Sequence, residues 1–201
     1  AWELVRAREL AAGEKKILDG LEARFAYPMF VKPAGTGSSV GVSKAGNREA
    51  LSKALAAAAK YDDKVLVEEF IRGKEIEVAV LGNENPVASV CGEIDSGAEF
   101  YDYDAKYITD TSRAYIPARI PEDLQDEIRK AAVRVFRAIG CQGLSRVDFF
   151  ATEDGHLVLN EINTLPGFTS ISMYPKLFAA SGIPYSRLID ELLKLAMEAG
   201  K

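Results

Sequence analysis

The chain has 201 residues, 48% hydrophobic and 27% charged, which predicts a folded protein with one large domain or two small ones. The net charge of −5 (25 basic against 30 acidic residues) leaves no basic excess for nucleic acid, and no apolar run approaches the roughly 20 residues that span a membrane. The charged opening Ala1–Arg6 is unlike a secretion signal, and Cys91 and Cys141 lie in apolar segments without metal-ligand spacing. We therefore expect free thiols and a cytoplasmic protein with neither a nucleic-acid nor a membrane partner.

The first half of the chain alternates short apolar segments with turns. Its charged opening segment has no obvious partner strand. In chain order, the next predicted elements are strand Pro28–Lys32, helix Glu49–Lys60 and strands Val65–Ile71, Glu75–Leu81 and Val87–Ile94. The change of composition near Asp62–Lys64 is the best local signal for a domain boundary.

The segment Asp95–Arg113 interrupts this pattern, because it is polar, rich in Tyr and Asp, and has no period. We interpret it as a long ordered loop of the kind that often carries function. After it, the predicted elements are helix Pro121–Ile139, strands Gly143–Thr152 and Leu157–Asn163, and helices Ser172–Ala180 and Pro184–Ala199. The mixture predicts an α+β fold with mostly antiparallel strands.

A Gly/Ser-rich loop, Ala34–Gly41, follows the first of these predicted strands. Its backbone N–H groups can approach phosphate oxygens, Ser38 and Ser39 add hydroxyl donors, and Lys32 adds a positive charge. The loop lacks the Gly-Lys-Ser/Thr ending of a P-loop and the glycine spacing of a dinucleotide fingerprint. A flexible surface turn explains the loop equally well at this point.

The predicted hairpin at 143–163 brings polar side chains onto one face of two strands. Alternate residues of a strand share a face, and a four-residue turn from Glu153 to His156 would place Asp148 opposite Glu161 and Arg146 opposite Asn163. Two close carboxylates repel each other, and a hard divalent cation such as Mg²⁺ removes that cost. The hairpin therefore predicts a metal site, with an ordinary exposed polar face as the alternative.

Three further segments have polar groups that could serve a site. Glu68–Glu75 offers carboxylates at a strand end, although a charged hairpin turn is the better local interpretation. Tyr101–Tyr107 offers a lysine and three phenols, and a loop held by aromatic packing explains it equally well. Pro166–Met173 offers a backbone N–H before a helix, where an ordinary serine cap is the alternative. The only histidine, His156, is expected to be a solvated turn residue, which argues against triad chemistry.

Taken together and in this order, the motifs resemble those of the D-alanine–D-alanine ligases, which are ATP-grasp enzymes. The resemblance runs from about Tyr27 to the C-terminus and is most specific at Asn160–Gly167 and Asp104–Tyr107. It implies two α+β subdomains, 1–67 and 68–201, with mostly antiparallel sheets gripping the nucleotide between them. It also implies ATP-dependent joining of two D-alanines through an acyl phosphate, for peptidoglycan precursors.

The resemblance assigns a role to each matching residue. For ATP it implies Lys32, Ser38, Ser39 and Lys106 at the phosphates, Glu68, Glu69, Phe70 and Ile71 at the adenine, and Glu75 at the ribose. For the metal it implies Asp148, Glu161 and Asn163 around two Mg²⁺, with Mn²⁺ as a possible substitute. For the reaction it implies Arg146 and the Gly167 N–H at the oxyanion, Ser39, Lys106 and Tyr107 as further catalytic groups, and Ser172 with Met173 at the second substrate.

Tyr107 and Met173 favour D-alanine as the second substrate, because relatives that use D-lactate or D-serine typically differ there. The remaining alternatives are a D-alanine–D-serine or D-alanine–D-lactate ligase, another ATP-grasp ligase, and a nucleotide-binding chain without turnover. Family members are usually homodimers with an N-terminal domain that holds the first D-alanine. No part of this sequence corresponds to that domain. The lysine near the start of the family's central domain is expected to be absent too, with Lys15 and Lys16 as candidates only if the alignment is shifted. We therefore expect weak nucleotide binding without turnover from these residues alone.

Overall fold

The structure, a computed structural model, describes residues 1–37, 39–95 and 113–199. Ser38 and the greater part of the predicted loop Asp95–Arg113, including Lys106 and Tyr107, lie outside these residues. The described residues divide into two compact units. Unit 1 is Ala1–Ile71, and unit 2 comprises Arg72–Asp95 and residues 113–199.

Unit 1 is a sheet with two helices. Its elements are β1 (Trp2–Arg6), α1 (Ala7–Arg24), β2 (Met29–Pro33), β3 (Ser43–Ala45), α2 (Arg48–Ala58) and β4 (Lys64–Glu69). Within residues 1–71 the strands run antiparallel in the order β1-β4-β2-β3. The absence of a partner strand for the opening segment was a wrong expectation, because β1 pairs with β4 from Trp2 to Arg6.

The two faces of the unit 1 sheet differ in polarity. Val31, Val65 and Val67 are buried on one face and pack in a core with residues of both helices, including Leu21 and Leu55. The opposite face carries Phe30 of β2, which pairs with Lys44 on one side and Glu68 on the other. Strand alternation therefore leaves a polar and aromatic face on the side away from the helices.

Unit 2 is larger and also built on an antiparallel sheet. Its elements are β5 (Gly73–Gly82), β6 (Val87–Asp95), β7 (Arg113–Tyr115), α3 (Glu122–Ala138), β8 (Gly143–Thr152), β9 (Leu157–Asn163), α4 (Met173–Ala180) and α5 (Tyr185–Ala199). In the described part of this unit the strand order is β7-β6-β5-β8-β9. The two antiparallel sheets confirm the predicted α+β class.

Helices pack on both faces of the unit 2 sheet. On one face, Ile76, Val147 and Phe149 form a core with Ile128 and Phe136 of α3. On the other face, Ala79 and Leu81 pack against α4 and α5 through Tyr174, Leu177 and Leu188. Residues farther along β5 and β8 on this second face are polar, and they include Glu77 and Asp148. The helices thus leave room on this face for a row of charged side chains.

The division between the units falls after Ile71, four residues beyond the boundary that the resemblance implies at 67/68. The reason is that β4 continues to Glu69, which pairs with Met29 of β2. In the described residues, none of the helices is long and apolar enough to cross a membrane.

Both cysteines are free thiols, as predicted. Burial raises the pKa of the Cys91 thiol to about 12 and also raises the pKa of Cys141. Neither thiol is therefore activated as a nucleophile at neutral pH.

Candidate functional site

Acidic side chains from three adjacent strands form one row across the sheet of unit 2. Glu77 of β5 lies opposite Asp148 of β8, which lies opposite Glu161 of β9. Directly opposite residues share a face, so the three carboxylates lie side by side. Asp148 and Glu77 are only 1% and 6% exposed, whereas Glu161 is exposed. The structure brings the predicted pair Asp148 and Glu161 together and adds Glu77.

The predicted pairing is present, but the turn that produces it is different. The hairpin closes with Thr152 donating its backbone N–H to the His156 carbonyl at 3.0 Å, over a three-residue turn rather than the four-residue turn expected. A bulge after Leu159 then restores the register, so that Leu159 pairs with Phe149 and Glu161 with Asp148.

The bulge lies in β9, the edge strand of the sheet. A regular ladder from a four-residue turn would place Asn160 opposite Phe149, whereas the bulge gives that position to Leu159, which is 47% exposed. Gly155, with φ of 82°, supplies the left-handed residue that the short turn needs.

Arg146 is held inside this acidic row. Its Nε donates to Asp148 Oδ1 at 2.8 Å and its Nη2 donates to Asp148 Oδ2 at 2.7 Å. The same Nε lies 3.4 Å from Glu77 Oε2. Burial acts to lower the pKa of Arg146, but the hydrogen bonds to Asp148 and the charge of Glu77 outweigh it and raise that pKa. The guanidinium is therefore a permanent cation in the row.

Asn163 links the two predicted metal carboxylates. Its Nδ2 donates to Asp148 Oδ2 at 3.0 Å and to Glu161 Oε1 at 3.2 Å. In this arrangement the amide nitrogen faces the carboxylates, so metal ligation by Asn163 requires its carbonyl oxygen to turn toward them.

The row fits a divalent cation by charge and by donor type. Three carboxylates (Glu77, Asp148 and Glu161) against one guanidinium (Arg146) leave a net charge of −2. The donors are all oxygens, which suits Mg²⁺ or Mn²⁺. Among the described residues, no group of three or more His, Cys, Asp or Glu side chains is arranged to hold a metal alone. A metal here must therefore also take oxygens from the amide, from water or from a bound phosphate.

The predicted Gly167–Ser172 segment is a tight turn before α4. A Cβ atom on Gly167 would lie 2.8 Å from Ser172 Oγ, so a larger residue here would displace the Ser172 hydroxyl. Ser172 is the N-cap residue of α4, but its Oγ accepts from the Thr169 N–H at 3.0 Å and does not bond an N–H of the helix. Met173 is only 8% exposed, because its side chain packs against Gly92 in the core.

In unit 1, predicted nucleotide residues share the face of the sheet away from the helices. Lys32 Nζ lies 2.8 Å from Glu68 Oε2. Phe70 stacks on Phe30 at 6.0 Å between ring centroids, and Lys44 Nζ lies 4.8 Å from the centre of the Phe70 ring. The sequence interpretation missed Phe30 and Lys44, although strand alternation places both on the face of Lys32. This surface offers an aromatic ring and two cations, which suit a base and phosphates.

The remaining predicted nucleotide residues do not all share that face. Alternation turns the side chain of Glu69 toward the helix side, where it pairs with the Ala1 amino group. Ile71 follows β4 and is half-buried. Glu75 belongs to unit 2, where it lies opposite Phe150 and on the same face as Glu77.

The described residues of the predicted phosphate loop make two further hydrogen bonds, one within the loop and one to Asp62. The Gly35 N–H donates to Asp62 Oδ2 at 2.7 Å, and Thr36 Oγ1 donates to the Val40 carbonyl at 2.8 Å. Ser39 has φ of 60°, a left-handed conformation that a non-glycine residue rarely adopts and that is frequent at functional sites.

His156 is solvated, as predicted. Its side chain is 79% exposed and its Nε2 lies 3.4 Å from Asp154 Oδ2, at the tip of the hairpin.

A family profile described as "D-ala D-ala ligase C-terminus" matches residues 1–194. The chain belongs to the D-alanine–D-alanine ligase family. A D-alanine–D-alanine ligase of Chlorobium limicola is 59% identical over 179 residues, which cover 89% of this chain and 49% of that protein. The chain therefore spans about half the length of this curated relative.

Solved ligase structures agree with the family assignment. The VanG D-Ala:D-Ser ligase of Enterococcus faecalis superposes with a TM-score of 0.87 at 38% identity, over 97% of this chain and 56% of that one. The D-alanine–D-alanine ligase of Coxiella burnetii gives a TM-score of 0.82 at 36% identity, over 99% and 52%. The fold is accordingly the ATP-grasp fold of these D-Ala ligases, as the resemblance implied.

Proposed function

We propose that this chain is the ATP-binding and catalytic part of a D-alanine–D-alanine ligase that makes the dipeptide of peptidoglycan precursors. The observation that carries the proposal is the row of Asp148 and Glu161 with Asn163 and Arg146, in a chain that belongs to this ligase family. The name of the Chlorobium limicola relative supports D-alanine as both substrates.

In this proposal, Asp148, Glu161 and Asn163 hold two Mg²⁺, which Mn²⁺ can replace. A bound divalent cation supplies neutralisation of phosphate charge during phosphoryl transfer. Arg146, a permanent cation, donates to the oxyanion that develops when the second amine attacks, and the Gly167 N–H is the second donor.

Lys32 and Ser39 of unit 1, with Ser38 and Lys106, bind the ATP phosphates. Glu68, Phe70 and Ile71 line the adenine, and Glu75 accepts from the ribose. A homodimeric enzyme in the cytoplasm belongs to the same proposal.

D-serine is the second candidate for the second substrate, because VanG, a D-Ala:D-Ser ligase, superposes at a TM-score of 0.87. Mass spectrometry of the products formed from D-alanine, D-serine and D-lactate, with the enzyme that contains this chain, decides between them. We expect D-alanyl-D-alanine, and a predominant D-Ala-D-Ser or ester product would overturn that expectation.

The metal site is tested by calorimetric titration of the chain with ADP, with and without Mg²⁺. We expect Asp148→Asn to weaken Mg²⁺-dependent binding by about tenfold or more, because it removes a ligand charge. The matched control is Asp154→Asn, which removes an exposed carboxylate at the tip of the same hairpin. Equal losses in both variants, or binding that is indifferent to Mg²⁺, would contradict the metal site.

A further inference from the structure

Arg146 covers the carboxylate that the proposed metal site needs. Both Asp148 oxygens accept from the guanidinium, and Oδ2 also accepts from Asn163. A carboxylate has about four lone-pair sites, and these three bonds fill most of them. Two of those bonds come from the Arg146 cation, which would repel a metal ion on the same oxygens, so metal binding at Asp148 favours the release of at least one of them.

Arg146 cannot leave the row without another anion. Its side chain is 21% exposed, and an unpaired buried cation is costly. Glu77 is the carboxylate on the opposite side of Asp148 from Glu161, on the adjacent strand β5. Its Oε2 already lies 3.4 Å from Arg146 Nε, just beyond ordinary hydrogen-bond length. Glu77 is also only 6% exposed, so it is less free than Glu161 to turn to solvent.

We propose that Glu77 is a positioning residue that takes the Arg146 guanidinium when Asp148 binds the metal ion. The exchange frees the Asp148 oxygens and keeps the Arg146 cation in the row, where the oxyanion develops. It rests on the proposed function, which supplies the metal ion, and it assigns a role to a residue that the family motifs did not single out.

Two simpler roles of Glu77, direct metal binding and fold stabilisation, predict different effects on metal affinity. If Glu77 bound the metal directly, its removal would weaken metal binding whether or not Arg146 is present. If Glu77 only stabilised the fold, its removal would lower stability without affecting metal affinity. If it acts through Arg146, the effect of removing Glu77 depends on Arg146.

A double-mutant cycle measures that dependence. The affinity for Mn²⁺ in saturating ADP is read by electron paramagnetic resonance in wild type, Glu77→Gln, Arg146→Met and the double variant. We expect Glu77→Gln to weaken Mn²⁺ binding about tenfold, since Arg146 then stays on Asp148. In the Arg146→Met background we expect a change of less than about twofold. A loss of similar size in both backgrounds overturns the proposal in favour of direct ligation.

A spectroscopic readout follows the guanidinium itself. In wild type, Mg²⁺ should shift the ¹⁵N resonance of Arg146 Nε, because its bond partner changes from Asp148 to Glu77. In Glu77→Gln, Mg²⁺ should no longer produce the wild-type shift of this resonance. The same shift in this variant as in wild type would overturn the proposal. Arg146→Gln, which keeps a polar side chain, is the second background should Arg146→Met not fold.

Glu93→Gln is the matched control. Glu93 is a buried glutamate of the same sheet, 3% exposed, but it pairs in register with Ile76, on the face opposite to Glu77. The Glu93→Gln variant should therefore bind Mn²⁺ with the same affinity as wild type. If wild type fails to bind Mn²⁺, or if Asp148→Asn binds it equally well, the proposed function fails as well. If metal binding is normal and Glu77→Gln has no effect, only this inference fails.

Discussion

Glu93 is a buried carboxylate with a structural role. Arg119 donates to it from Nη2 at 2.6 Å and from its backbone N–H at 2.9 Å, and Lys74 Nζ donates at 3.3 Å. Burial acts to raise the pKa of Glu93, but these hydrogen bonds outweigh it and hold that pKa below its ordinary value. The charged form of Glu93 therefore stabilises the folded chain.

This depressed pKa makes stability depend on pH. The unfolded chain takes up the proton first, so the contribution is complete at neutral pH and is lost as pH falls through the ordinary glutamate pKa of about 4.3 and below. We expect Glu93→Gln to lower the free energy of unfolding at pH 7 by about 1–3 kcal/mol and to flatten its decline at acid pH. Urea unfolding at a series of pH values measures both effects. Parallel profiles for the two proteins would mean that Glu93 is not the group responsible.

At the level of residues, the sequence predicted those members of the acidic row that belong to one hairpin. Arg146, Asp148, Glu161 and Asn163 lie on two strands that are neighbours in sequence, so alternation along each strand was enough to group them. The turn is one residue shorter than predicted, and the bulge in β9, which the sequence does not reveal, restores the pairing. Glu77 lies on a strand far away in sequence, and its place beside Asp148 depends on the β5–β8 pairing, which local patterns do not reveal.

At the scale of elements, α4 packs unusually close to the sheet at Gly92. A Cβ atom there would lie 2.6 Å from Met173 Cε and 2.8 Å from Leu177 Cδ2. Gly92 of β6 lies opposite Glu77 of β5, so this contact with α4 lies next to the acidic row. A side chain at position 92 would therefore displace Met173 and Leu177, and a positive φ plays no part.

We expect Gly92→Ala to destabilise the protein by about 1–3 kcal/mol, because two buried side chains must move to admit the methyl group. Gly20→Ala is the matched control, since Gly20 lies in α1 with nothing within 4 Å of a new Cβ atom. It should stabilise by about 0.4–1 kcal/mol through helix propensity and a less flexible unfolded chain. Urea denaturation measures both, and equal effects of the same sign would refute the packing argument.

The elements that the sequence did not reveal are the ones that depend on distant partners. Strands β8 and β9 have the predicted bounds, because their alternation is strong and the turn between them is short. Helix α1 was missed because its charges are spread along it, glycines interrupt it, and its apolar side is narrow, with Leu18 and Leu21 as its buried residues. Strands β1, β3 and β7 are short, and their partners are what define them.

At the scale of the whole molecule, each unit has its own core. In unit 1, Met29, Leu51 and Leu55 are fully buried in one cluster, and in unit 2 Phe136 and Phe149 belong to another. The predicted class and family required only the order of motifs along the chain. The boundary was harder to place, because it depends on how far β4 stays paired.

Because each unit has its own core, a core substitution in one unit should lower the stability of that unit and leave the other unchanged. Leu55→Ala should lower the stability of unit 1 by about 2–5 kcal/mol, because it leaves a cavity in a fully buried position. Native-state hydrogen exchange of the β2 and β4 amides reports the loss, with the β5 and β8 amides as the internal reference. Phe136→Ala is the reciprocal variant. An equal loss of protection in all four strands would mean that the chain unfolds as one cooperative body.

The bulge in β9 also determines how this hairpin tolerates insertions and deletions. Removing Asn160 would leave Leu159 opposite Phe149 and Glu161 opposite Asp148, in a regular ladder. Removing Val158 instead would place Leu159 opposite Phe150, on the face of the acidic row, and Asn160 opposite Phe149. In an alignment with a relative whose hairpin is one residue shorter, the gap therefore belongs at position 160. A deletion there keeps Leu159 opposite Phe149 and Glu161 opposite Asp148.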